Sequence, residues 1–291
     1  MANEIWTIKR CLEWTKEYLA ERGEEHPRLS AEWLLCAATG LARIDLYMRM
    51  DETLDAAQLE TMHAAVVRRA KGEPLQYITG STQFRMIDVA CAPGVLIPRP
   101  DTEVLVQTVV HELDSGADCR VLDLCAGSGC IGLAVASQVL RSRVLLGEWD
   151  DEALKVCRQN IRRNQLSARV TSLRIDAREK PSRQLGEFDC IVSNPPYIPT
   201  ADIETLDPSV RDHEPHLALD GGADGLDFYR VIADKWRDAL LPNGLMAFEV
   251  GIGQADEVLR IMRANGFGDI QIVKDLHGIP RVVYGRLCKE I

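Results

Sequence analysis

The sequence predicts an α/β fold: a mostly parallel sheet with one antiparallel edge strand, preceded by a small N-terminal helical domain. Three observations predict it. From about residue 101 onward, short apolar runs alternate with amphipathic helical patterns, as in a sheet whose strands are joined by crossover helices. The apolar run Val121-Leu122-Asp123-Leu124 passes through Cys125-Ala126-Gly127-Ser128-Gly129 into a helical pattern from Cys130, giving strand, small-residue turn and helix in succession. A second apolar run, Phe188 to Ser193, stops on Asn194-Pro195-Pro196-Tyr197, because two prolines cannot donate to a sheet and hold the chain extended.

Residues 1–73 read as a helical bundle. Ile5, Ile8, Leu12, Thr15 and Leu19 form one apolar stripe, and Leu59, Met62, Val66 and Ala70 another. Between them Ser30 is placed to cap a helix through Trp33-Leu34-Leu35 that stops near Gly40. The aromatic and Met side chains of this bundle are expected in its core, with Trp14 and Trp33 in a packing or docking role. Over 74–100 the pattern changes to alternation broken by Gly80, Pro93, Gly94, Pro98 and Pro100, which predicts a hairpin linker. Asp101 or Thr102 then caps a helix through Val104-Leu105-Val109 and opens the domain over 101–291. Strands are predicted at 121–124, 144–147, 170–174, 188–193, 245–250, 270–273 and 282–285. Helices are predicted around Leu154-Cys157-Ile161, through Phe228-Ile232-Trp236-Leu240, and from Gln254 to Ala264. The last two strands have no helix between them, so one strand must run in reverse.

Composition narrows the class. With 46% hydrophobic and 27% charged residues in 291, the chain has the make-up of a globular protein of more than one average domain. A net charge of −10 and a pI near 5.2 argue against a broad electrostatic footprint for duplex nucleic acid. The nine cysteines are scattered and never form Cys-x-x-Cys, which fits a reduced, cytoplasmic setting with most acting as small apolar residues. Cys125 and Cys130 flank the glycine turn without a nearby His and are expected to pack. No stretch approaches the ~20 apolar residues of a membrane span, so no membrane partner is expected.

The glycine turn carries the first chemical signal. Backbone N–H groups at the carboxyl edge of a parallel strand attract a ligand, and Gly127 and Gly129 permit its close approach. The next strand, Val144-Leu145-Leu146-Gly147, ends at Glu148, whose carboxylate can accept both hydroxyls of a ribose. A nucleoside site is predicted. Asp-x-x-x-Gly-x-Gly followed by an acid after the second strand resembles the S-adenosylmethionine site of Rossmann-like methyltransferases.

The Asn-Pro-Pro-Tyr tip carries the second. The Asn194 side-chain oxygen and the Pro195 carbonyl can each accept one N–H of a planar amide, while Tyr197 packs on its flat face. Taken alone, Asn-Pro-Pro reads equally well as a rigid turn. Its position on the same sheet edge as the glycine turn, at the switch point, favours the amide site.

With these residues in hand the chain resembles the bacterial peptide chain release factor glutamine methyltransferases. The resemblance runs through Gln76-Tyr77-Ile78-Thr79-Gly80 and Phe84, Leu96-Ile97-Pro98-Arg99-Pro100-Asp101-Thr102-Glu103, the glycine turn, Val192 to Ile198, Glu214-Pro215 with Ala218-Leu219, and Asp224-Gly225-Leu226. Ile-Pro-Arg-Pro-Asp-Thr-Glu is its most specific element. The resemblance implies methyl transfer from S-adenosyl-L-methionine to the glutamine amide of the Gly-Gly-Gln loop of a release factor, by a monomer whose helical bundle docks that factor. It implies that Cys125, Ala126, Gly127, Ser128 and Gly129 contact the methionine part and Glu148 the ribose. Asp176 and Ala177 would line the adenine, Asn194, Pro195, Pro196 and Tyr197 would grip the substrate amide, and Asn194 would also contact the cofactor. Glu148 stands where Asp is usual, and Ala177 where some relatives carry Trp. Glu214 or His213 is a candidate proton acceptor or a loop-ordering residue; Arg99 either holds the substrate loop or pairs with Glu103.

The main alternative is an amino-group methyltransferase acting on adenine or guanine in nucleic acid, which also uses Asn-Pro-Pro and an aromatic. The acidic balance and the helical domain argue against it and against a stable nucleic-acid partner. A nucleotide-dependent oxidoreductase is the alternative that the glycine turn taken alone allows, and a noncatalytic adaptor leaves Asn-Pro-Pro-Tyr unexplained.

Overall fold

The computed structural model describes residues 5–113 and 116–288. It divides into two compact units, Met1–Gly80 with Pro208–His213, and Ser81–Asp207 with Glu214–Ile291.

In the first unit, α1 (Ile8–Ala20) is capped by Thr7, whose Oγ1 accepts from the Arg10 N–H at 3.2 Å. Its buried stripe is Ile8, Cys11, Thr15 and Leu19; Ile5 precedes the helix and is exposed, so it falls out of the expected stripe. α2 (Pro27–Thr39) begins on a proline at its first turn, where a missing N–H costs nothing. Ser30 is therefore a buried residue inside the helix and caps nothing, whereas Gly40 ends it in the left-handed conformation, as expected. α3 (Arg43–Met48), α4 (Ala56–Arg69), opened by a capping box between Asp55 and Gln58, and α5 (Leu75–Thr79) complete the bundle. Its core is mainly aliphatic: Leu34, Leu35, Leu46, Met62 and Val66. Trp14 and Trp33 are 41% and 40% exposed, so the expectation of core aromatics is corrected. Trp14 stacks on Tyr18 and meets Trp6 edge-on.

The second unit opens with a hairpin of β1 (Ser81–Phe84) and β2 (Ile87–Ala90). This hairpin is part of the unit's core and no free linker. Phe84, Ile87 and Val89 join the main apolar cluster, and the Asn160 and Asn164 side chains accept from Ala90 N and Asp88 N at 2.7 and 3.1 Å. Then follow α6 (Thr102–Glu112), β3 (Cys119–Leu124), α7 (Cys130–Gln138), β4 (Ser142–Glu148), α8 (Asp151–Arg163), β5 (Val170–Arg174) and β6 (Phe188–Ser193). Next come α9 (Pro208–Arg211), which groups with the first unit, α10 (Asp227–Lys235), β7 (Leu240–Glu249), α11 (Ala255–Ala264), β8 (Phe267–Lys274) and β9 (Pro280–Leu287).

The seven-stranded sheet has the order β5-β4-β3-β6-β7-β9-β8. β5 to β7 are mutually parallel, and the reversed strand at the far side is β9, antiparallel to both β7 and β8. Alternate residues of each strand feed opposite layers. Val121, Val144, Val192 and Ala247 face α6, α7 and α8, while Leu122, Ile191, Met246 and Phe248 face α10 and α11. The chain leaves β3 in one direction and returns to β6 on its other flank. The carboxyl ends of β3 and β6 thus lie side by side at the switch point, where ligands bind in such sheets. Among the described residues no helix is long and apolar enough to cross a membrane.

Candidate active site

At the tip of β3 the chain turns through Cys125 (φ 58°), Gly127 (φ 55°) and Gly129 (φ 79°) into α7. A left-handed Cys is an unusual backbone state, held by its surroundings. Beside Gly127 nothing lies within 4 Å of where a side chain would begin, which leaves the turn open to a ligand, whereas Gly129 is backed against Leu146. Glu148, at the tip of β4, ties this turn to the next loop. Its Oε2 accepts from Gly127 N at 2.8 Å, and its Oε1 from Trp149 N and Asp150 N at 2.7 and 2.9 Å. Burial raises its carboxyl, opposed by those three N–H groups. Asp123, deeper in β3, is fully buried; its Oδ2 accepts from Gly132 N at 2.8 Å, and burial pushes its carboxyl up to about 7.

Leu124 and Ser193 are register partners, and Ser193 Oγ donates to the Leu124 carbonyl at 2.7 Å. Asn194 therefore starts level with Cys125. Asn194 and Pro196 line one cavity of about 280 Å³ together with Cys125 to Ser128, Glu148, Asp176 and Ala177. That volume is near the lower end for ligand pockets. Among the described residues none donates a backbone hydrogen bond to the Pro195 carbonyl. Pro195, Tyr197 and Gly129 are not on the cavity wall. Tyr197 is held elsewhere for physical reasons: its ring packs into the α10 and α11 layer beside Gly251, and its carbonyl accepts from Gln254 Nε2 at 2.8 Å. Burial pushes its phenol up to about 12.

One wall residue, Trp149, escaped sequence reasoning, and others meet partners that it did not foresee. Trp149 follows Glu148 directly, lines the cavity and carries the Arg174 guanidinium 4.4 Å above its ring. Its adjacency to Glu148 was the available signal. Asp176 is engaged by Arg178, Nε to Oδ1 at 2.9 Å and Nη2 to Oδ2 at 2.8 Å, which holds its carboxyl below the usual range. Ile97, Arg99 and Thr102 bring the Ile-Pro-Arg-Pro-Asp-Thr-Glu segment to the wall. Arg99 pairs with buried Glu214, not with Glu103, and Glu214 Oε2 also accepts from Ile97 N at 3.1 Å. Both Glu214 oxygens are thus engaged in fastening two loops, the loop-ordering alternative. His213 belongs to the first unit.

The donor set fits a nucleoside-type ligand. An open glycine turn, a carboxylate at the second strand tip, an aromatic ring and the apolar Ile175, Ala177 and Phe228 share one wall. Among the described residues no His, Cys, Asp and Glu cluster suits a metal ion.

Comparison with known proteins agrees. The family described as "PrmC N-terminal domain" matches residues 10–80, and "Methyltransferase small domain" matches 99–221. A release factor glutamine methyltransferase of Geobacter sulfurreducens is 47% identical over 98% of this chain and 98% of its own. That of Moorella thermoacetica is 42% identical over 94% and 96%. A methyltransferase structure from Pyrococcus furiosus, 17% identical, superposes with a TM-score of 0.51 over 71% of this chain and 91% of its own, a likeness of fold.

Proposed function

Because the chain belongs to the release factor glutamine methyltransferases, we propose that it moves the methyl group of S-adenosyl-L-methionine to the side-chain amide nitrogen of the glutamine in the Gly-Gly-Gln motif of peptide chain release factors. The observation that carries this reading is the shared cavity: the Asn194-Pro196 tip and the Cys125–Ser128 turn open onto one space. When bound, S-adenosyl-L-methionine supplies a methyl carbon made electrophilic by sulfonium. The turn from Cys125 to Ser128 would border its methionine part and Glu148 its ribose. Asp176, Ala177 and Trp149 border the adenine, with the Trp149 ring as the aromatic surface that Ala177 cannot offer.

The chain's own task is positioning. An amide nitrogen is a poor nucleophile because its lone pair is delocalised, so the site must fix both N–H bonds and turn that lone pair toward the methyl carbon. Asn194 Oδ1 accepts one N–H group without adding charge, the Pro195 carbonyl standing off the cavity wall, and a substrate lacking that N–H leaves an acceptor unpaired at a cost of ~1–3 kcal/mol. Pro196 closes the wall and Tyr197 braces the tip from behind. The nitrogen becomes acidic once methylated, and its proton leaves to water, since Glu214 is engaged by Arg99 and Ile97. The protein acts as a monomer without a stable nucleic-acid partner.

Incubation with methyl-labelled S-adenosyl-L-methionine and either a release factor or nucleic acid tests the reading. Label is expected on the release-factor glutamine and on no nucleic acid; label in nucleic acid alone would establish the adenine or guanine amino-group alternative.

A further inference from the structure

Glu249 ends β7 at this sheet edge and has no part in the reading above. It is 3% exposed, is absent from the cavity wall, and its Oε2 has no hydrogen-bond partner among the described residues. A carboxyl so placed carries a large desolvation penalty, so its presence calls for a task. Facing it are Asp101 and Thr102 at the start of α6, Asn194 and Tyr197 beyond β6, Arg281 of β9, Tyr229 of α10 and Cys130 of α7. Burial, the largest influence, and Asp101 raise its carboxyl, to about 7; hydrogen bonding from Thr102 and Asn194 and the charge of Arg281 act in the other direction.

The two ends of an asparagine amide have nearly the same shape, so neighbours decide which end faces the cavity. Thr102 Oγ1 accepts from Asn194 Nδ2 at 3.5 Å, a long contact. An ionised carboxylate beside it can only accept. Two acceptors on that side draw the Asn194 NH2 toward themselves and leave Oδ1 for the cavity. We infer that Glu249 is a positioning residue that fixes the Asn194 amide with its oxygen toward the substrate, and that neutralising Glu249 releases this orientation. The consequence for turnover rests on the methyl-transfer reading; the orientation rests on the network alone.

Glu249→Gln in the full-length protein tests it, because glutamine keeps the shape but offers a donor where only acceptors stood. Turnover on a release factor is expected to fall roughly 100-fold, as for a displaced positioning group. Affinity for S-adenosyl-L-methionine by calorimetry stays unchanged, and Glu249→Asp restores part of the rate. In an Asn194→Ala background Glu249→Gln adds little further loss, since the group it orients is gone. The ¹⁵N side-chain resonance of Asn194, assigned by its loss in Asn194→Ala, should move with pH in the wild-type protein and not in Glu249→Gln. Additive losses from the two substitutions, or Asn194 resonances that titrate alike in both proteins, overturn the inference. Lack of turnover by the wild-type protein counts instead against the methyl-transfer reading, and the resonance comparison still decides on Glu249.

Discussion

At the scale of single residues, the site separates groups that hold the cofactor from groups that hold the substrate. Asn194 belongs to the second set, since the turn and Glu148 form their hydrogen bonds without it. Asn194→Ala should therefore lower kcat by at least about 100-fold, the usual loss when one fixed hydrogen-bonding group of a site is removed. Cofactor affinity, measured by calorimetry, should be retained; a parallel loss of affinity would show that the division is wrong. Trp149 belongs to the first set. Trp149→Ala removes an aromatic face worth ~0.5–1.5 kcal/mol, so the Kd for the cofactor should rise by up to about tenfold while kcat at saturation changes little. An unchanged Kd would place the adenine elsewhere. Sequence alone pointed to Asn194 because asparagine between an apolar run and two prolines is chemically odd. It passed over Trp149 and Glu249, whose significance depends on which strand tips stand side by side.

Among the elements, strands and crossover helices were legible because each strand is fed by apolar residues and each helix by a repeating stripe. What stayed hidden were contacts between segments distant in the chain. The hairpin over 81–90 reads as a linker until the Asn160 and Asn164 side chains are seen binding its edge. Arg99 reads either as a holder of the substrate loop or as a partner of Glu103 four residues away, yet the buried carboxylate it meets is Glu214. The Asn-Pro-Pro-Tyr segment is a loop held by its neighbours, and Gly221 is one of the tightest of them. A side chain begun at Gly221 would stand 2.7 Å from Tyr197 Cα and 2.8 Å from the Pro196 carbonyl oxygen, backbone atoms that cannot swing aside. Gly221→Ala should therefore push the tip away from the glycine turn. We expect a lower melting temperature and a reduced kcat with cofactor affinity kept, measured by thermal denaturation and calorimetry; wild-type kcat would mean that the tip tolerates displacement.

For the molecule as a whole, three buried carboxyls at one sheet edge set how stability depends on pH. Asp123 and Glu249 are both pushed up to about 7 by burial, and Glu148 is raised as well. In the unfolded chain these groups ionise near the ordinary values of 3.8 for Asp and 4.5 for Glu. Between those values and about 7 the folded protein holds protons that the unfolded chain has released. Stability must then fall as pH rises through that window, and what these groups contribute is fully present only below it. Surface carboxylates such as Asp224, held down to about 2 by Arg230, act in the opposite direction but only below pH 4, outside that window. The midpoint of urea denaturation is therefore expected to decline from pH 5 to pH 8. Asp123→Asn keeps an acceptor for the Gly132 N–H and removes one of the protons at issue, so its midpoint should decline less steeply over the same range. A wild-type slope in that variant would mean that Asp123 is already ionised at pH 5 in the folded state, with the field of the glycine turn outweighing its burial.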